Sequence, residues 1–131
     1  MEVEHVGALL KIDSVMFFVT YLEKAAQFYS DVLGLKRVWT DEKRGMIGFV
    51  FRESDSEIVV HNDSSIHNPS FSFLVWNVEA FCKEYKANGG KVAREPFDVR
   101  CGKYAVVADP DGNELPIIDL TKFDGKPRYD Q

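Results

Sequence analysis

The 131-residue sequence has little that would cross-link it, anchor it or draw it to a polyanion. Two cysteines, Cys82 and Cys101, make neither a disulfide framework nor a four-thiolate zinc site. Basic side chains are outnumbered 16 to 21, and the formal net charge of -5 leaves no electropositive footprint for nucleic acid or anionic lipid. The longest uncharged apolar run, Ser14 to Val19, is far too short to cross a bilayer. The opening Met1-Glu2-Val3-Glu4 is acidic and lacks the basic and apolar regions of a signal peptide. A glycine-rich phosphate loop, a G-x-S-x-G elbow, an H-E-x-x-H helix and any triad spacing are also missing. These absences predict a soluble, cytoplasmic protein whose partners are neither membranes nor nucleic acids. What remains, 45% apolar and 28% charged, is enough to bury the core of one domain spanning 1–131.

The chain repeats itself. Val15 to Val19 leads into Thr20-Tyr21-Leu22-Glu23, and Phe71 to Val75 leads into Trp76-Asn77-Val78-Glu79. Val19 and Val75, Glu23 and Glu79, Tyr29 and Tyr85, and Gly34 and Gly90 correspond at one constant offset. Each copy reads as strand, helix, then three β-rich runs, so the fold class is α+β, built from two βαβββ units. The spacing predicts repeat one over 11–63, a linker over 64–69, repeat two over 70–121 and a polar tail over 122–131 to which no structure is assigned. In the first copy Thr20-x-x-Glu23 has the form of a capping box, and Leu22, Ala25, Ala26, Tyr29, Val32 and Leu33 form an apolar stripe closed by Gly34. In the second, Asn77 is the cap, and Val78, Phe81, Cys82 and Tyr85 make the stripe. Asp109-Pro110-Asp111-Gly112 is the turn before the last strand. Helices on one side of each sheet leave the other side concave and in need of a ligand or partner.

The run Leu22-Glu23-Lys24-Ala25-x-x-Phe28-Tyr29-x-x-Val32-Leu33-Gly34-Leu35, the closing turn Asp109 to Asn113 and the repeat itself resemble the vicinal oxygen chelate superfamily. That superfamily includes glyoxalase I, extradiol dioxygenases, fosfomycin-modifying enzymes and bleomycin-resistance proteins. The resemblance implies curved mixed sheets around a concave cavity, and a fold that serves unrelated chemistries. In metal-dependent members, four side chains from the first and last strands of the two units surround one divalent ion. Carried onto this sequence, those positions fall at Ser14, Val59 (or a residue either side), Ser70 and Pro116. None is a competent ligand for Zn, Ni, Fe or Mn, so the resemblance implies that the usual metal site is missing and that no cofactor is held.

Side-chain alternation gives the lining of the concave face. Ser14, Met16 and Phe18 share one face of the first strand; Ser70, Ser72, Leu74 and Trp76 share the matching face of the second copy, joined by Pro116 and Ile118. His61 falls on that face if Val59 does, although a slip of one residue would reverse the assignment. It lines a pocket or bonds a neighbour; His5 and His67 are solvated. Arg100, Cys101 and Lys103, in a polar hairpin loop from Glu95 to Lys103, are candidates to meet an anionic group or to supply a reactive thiol. The mainly apolar lining predicts a homodimer that binds a small hydrophobic or aromatic molecule without metal. Two alternatives stay open. One is a metal-dependent lyase or dioxygenase using His61, Glu57, Glu114 or Asp119 as displaced ligands; the other is an interaction module whose faces are filled by partner chains.

Overall fold

Short β-branched and aromatic runs alternate with two helical stripes, and the computed structural model resolves them into eight strands and two helices. It describes residues 6–130; the acidic opening residues, His5 and Gln131 lie outside the described residues. The order is β1 (Lys11–Phe18), α1 (Leu22–Asp31), β2 (Lys36–Asp41), β3 (Met46–Val50), β4 (Glu57–His61), β5 (Ser70–Leu74), α2 (Val78–Ala87), β6 (Lys91–Asp98), β7 (Lys103–Ala108) and β8 (Glu114–Ile118). The helices begin and end at the same offset as the sequence repeat, and the α+β class with its βαβββ units is as expected.

Among the described residues, packing groups Asp13–Phe71 with 128–130, and Ser72–Pro127 with 6–12. In the first unit the strand order is β2-β3-β4-β1, with β1 parallel to β4 and the other pairs antiparallel. The second has the order β6-β7-β8-β5, with β5 parallel to β8. Each unit covers one side of its sheet with its helix. Ala26, Leu22 and Tyr29 of α1 pack on Ile47, Phe49 and Val60. Val78, Phe81 and Cys82 of α2 pack on Ala105, Val107 and Ile117.

Local chemistry explains the helix boundaries and corrects the sequence reading in places. Asn77 caps α2, its Oδ1 accepting from the Ala80 N–H at 2.9 Å. The capping box expected at Thr20 does not form. The N-cap is Tyr21, without a side-chain bond, because the Glu23 carboxylate is held by both guanidinium nitrogens of Arg37 at 2.9 and 3.1 Å. The α1 stripe stops at Tyr29. The helix ends at Asp31, Gly34 turns left-handed (φ 74°), and Leu35 donates its N–H back to the Tyr29 carbonyl at 3.1 Å. Val32 and Leu33 are therefore exposed.

The polar run from Glu95 is not a hairpin loop throughout. β6 continues through Pro96 to Asp98, and only Val99–Gly102 turns. Proline is tolerated there because β6 is the edge strand of its order, and its register shifts between Arg94 and Phe97. In the tail, Thr121–Phe123 form a 3-10 turn, and the Asp130 N–H donates to the Val38 carbonyl at 2.7 Å. Near the other end, Leu10 donates to the Leu74 carbonyl at 2.8 Å. No helix among the described residues is long and apolar enough to cross a membrane.

Candidate ligand-binding site

In the unit built from residues 13–71, strand register sorts the side chains into two sets. Val60 and Ile58 join the cluster under α1, whereas Val59 packs with Trp39, Val38, Met16 and Met46 on the opposite side. The frame of β4 is thereby settled: His61, two residues from Val59, lies on the side away from the helix. Directly across from it are Phe18 on β1 and Met46 on β3. Ser14 pairs with Glu57 and Met16 with Val59, so Ser14, Met16 and Phe18 share the face with Glu57, Val59 and His61.

One feature of this face was not anticipated. The indole of Trp39 lies flat on Gly48, where an added Cβ would come within 2.1 Å of Cε2 and Nε1. Its Nε1–H donates to Glu57 Oε1 at 2.8 Å. The signal was present in the sequence: a glycine inside the run Met46–Val50 marks a close approach of another group to the strand. Tyr129 adds to this carboxylate-rich side, its hydroxyl pushed up by burial first and then by Glu57, Asp55 and Asp13.

His61 is fully buried. Its Nδ1 accepts from the Asp63 backbone N–H at 3.1 Å, which places the ring proton of the neutral imidazole on Nε2. Nε2 is buried and has no hydrogen-bond partner among the described residues. Phe18, 37% exposed, meets the imidazole edge-on with ring centroids 6.0 Å apart. Burial lowers the His61 pKa below its usual value, and nearby Asp63 only partly offsets this.

In the unit containing residues 72–127, Leu74 packs with Cys101, Leu120, Ile118 and Val99 on the side away from α2, while Phe73 packs toward it. Ser72 is buried; Ser70 and Pro116 are half-buried. Trp76, beyond the end of β5, is 37% exposed and lies against Gly125. The Arg100 guanidinium sits 5.0 Å above the Phe123 ring. Lys103 pairs with Asp98 at 3.1 Å. Cys101 is buried and its thiol donates to the Asp119 carbonyl at 3.1 Å, an inert setting rather than the accessible, electropositive one that a reactive thiol needs.

Asp119 is a second buried polar group that the strand pattern left open. Its Oδ2 accepts from the Val78 N–H at the start of α2 (2.7 Å). Its Oδ1 accepts from the N–H of Lys103 (2.9 Å) and from the N–H and hydroxyl of Thr121 (3.2 and 2.8 Å). A Cβ at Gly102 would strike Oδ1 at 2.0 Å, so glycine there admits the carboxylate. Asp119 is thus a tie between α2, β7 and the 3-10 turn, with its oxygens already committed.

The donor chemistry does not fit the divalent ion that the superfamily resemblance implies. Ser14, Val59, Ser70 and Pro116 stand at the implied ligand positions. Among the described residues no three His, Cys, Asp or Glu side chains cluster as a metal site would require. Glu57 is engaged by Trp39, Asp119 by backbone donors, and Glu114 is exposed. With the Nδ1 lone pair accepting a backbone proton, Nε2 could ligate only by losing the last ring proton.

Comparison with known proteins agrees with this fold. The chain is 30% identical over 125 residues to the lactoylglutathione lyase of Haemophilus influenzae, covering 84% of this chain and 93% of that protein. It is 31% identical over 121 residues to the probable lactoylglutathione lyase of Synechocystis sp., covering 81% and 92%. Among solved structures it is similar to methylmalonyl-CoA epimerase from Mycobacterium tuberculosis, at TM-score 0.58 and 18% identity over 82% of this chain and 85% of that one. The Mn(II)-bound glyoxalase from Novosphingobium aromaticivorans superimposes at TM-score 0.57 and 22% identity, over 83% and 38%. A sequence profile matches residues 11–117, and on that match, carried by the duplicated βαβββ units, the chain belongs to the Glyoxalase/Bleomycin resistance protein/Dioxygenase superfamily.

Proposed function

We propose that this protein binds a small apolar or aromatic molecule without metal, on the side of its sheets turned away from the helices. The observation that carries the reading is the chemistry at the four implied ligand positions. A hydroxyl, an isopropyl group, a second hydroxyl and a proline ring occupy them at Ser14, Val59, Ser70 and Pro116. In one unit Val59 packs with Met16, Trp39 and Met46, and Phe18 stands edge-on to His61; in the other, Leu74 packs with Ile118. Apolar walls with a few polar groups suit an uncharged organic ligand. Thermal denaturation against a panel of aromatic compounds tests this, because a ligand at a hundred times its Kd adds about 2.7 kcal/mol. No stabilisation by any compound, together with a stoichiometric ion in the purified protein, would reject it.

A second reading is a metal-dependent lyase, favoured by the names of the Haemophilus influenzae and Synechocystis relatives. It requires donors other than those at the implied positions. Formation of lactoylglutathione that depends on added Ni, Zn or Mn, and is abolished by chelation, would decide for it.

A further inference from the structure

We propose that His61 presents its Nε2–H as a fixed hydrogen-bond donor to a neutral oxygen acceptor, a ketone, aldehyde, ester or amide carbonyl, on an apolar ligand. This rests on the binding reading above and narrows it to a chemical class. The tautomer comes from the backbone: Asp63 N–H fills the Nδ1 lone pair at 3.1 Å, so the proton sits on Nε2 and that nitrogen can only donate. Nε2 has no acceptor among the described residues although His61 is fully buried. A buried unpaired donor is costly, and a ligand oxygen that meets it recovers that cost on binding. A non-functional core position would be served better by Leu or Phe among Val59, Met46 and Phe18.

The charge around the ring sets the ligand class. Ser14, Met16, Phe18, Trp39, Met46, Val50, Glu57 and Val59 share its face by register and packing, and none carries a positive charge. Asp63 is close enough to act on the imidazole. An anionic ligand would meet the Asp63 charge unfavourably, and a neutral carbonyl would not. Beside the imidazole stands Phe18, partly exposed and edge-on to the ring at a centroid distance of 6.0 Å.

Calorimetric titration with shape-matched pairs tests this: 2-acetylnaphthalene against 2-isopropylnaphthalene, and acetophenone against isopropylbenzene. The wild-type protein is expected to bind each ketone about tenfold more tightly than its hydrocarbon partner. His61→Phe should abolish that preference while still binding the hydrocarbons, and His61→Gln, which keeps a donor, should restore part of it. In case His61→Phe fails to fold, ¹⁵N NMR of the wild-type ring provides an independent readout. The ketone should shift the Nε2–H resonance and leave Nδ1 nearly unchanged, and the hydrocarbon should move neither. Equal affinity for ketone and hydrocarbon would overturn the donor role and leave the binding reading intact. Binding of neither would overturn both.

Discussion

Two buried polar residues, His61 and Asp119, have opposite fates. Asp119 is saturated, with four donors on its two oxygens, and so is structural. Asp119→Ala would leave those donors facing an apolar gap, and we expect a loss of about 3 kcal/mol in urea unfolding, against little change for the exposed Asp111→Ala. His61 has one nitrogen used and one unmet. Its pKa is lowered from 6.5 in the folded protein, so below that value the unfolded chain takes up a proton that the native imidazole resists. Stability contributed by the neutral ring is therefore complete above about pH 6.5 and lost as pH falls toward the lowered folded value. Unfolding free energies measured from about pH 7 down to about pH 5 should fall more steeply for the wild type than for His61→Gln. Gly48 is the third telling residue, because Trp39 occupies the space a side chain would need. Gly48→Ala should cost about 1–3 kcal/mol and shift the tryptophan emission, and an unchanged spectrum would contradict the stacked geometry.

At the level of elements, the two helices came from one repeat yet start differently. α2 has a side-chain cap at Asn77; α1 has none, because Glu23 is drawn to Arg37. Asn77→Ala should lower stability by about 1 kcal/mol, whereas Thr20→Ala should change the thermal midpoint very little. A matching loss at Thr20 would mean that the box forms in solution. The helices, the left-handed Gly34 and the Asp109 turn were legible in the sequence because each depends on residues within a few positions. Asp109 Oδ1 accepts from Asp111 and Asn113, a bond pattern written in five consecutive residues. The extent of β6 was not legible: Pro96 and the charges around it look like a loop, and only its pairing with β7 makes it a strand. The failed capping box has the same cause, since Arg37 lies fourteen residues from Glu23.

For the molecule as a whole, the proposed reading turns on Ser14, Val59, Ser70 and Pro116, the side chains at the metal positions that the family resemblance implies. We expect the thermal midpoint to be unmoved by Mn, Ni or Zn and by chelator, since a resident ion at a hundred times its Kd would add about 2.7 kcal/mol. A clear shift with a stoichiometric ion would favour the lyase reading. The duplication and the order of elements were determined by the sequence alone, because periodicity and turn residues are local properties of the chain. The tertiary structure decided the rest: the frame of β4, the proton position on His61, the engagement of Asp119 and of Glu57, and the pairing of Asp130 with Val38. Alternation along a strand does not say which face a helix will cover. A side chain's remaining hydrogen-bonding capacity is known only once its partners, often distant in the chain, have been brought beside it.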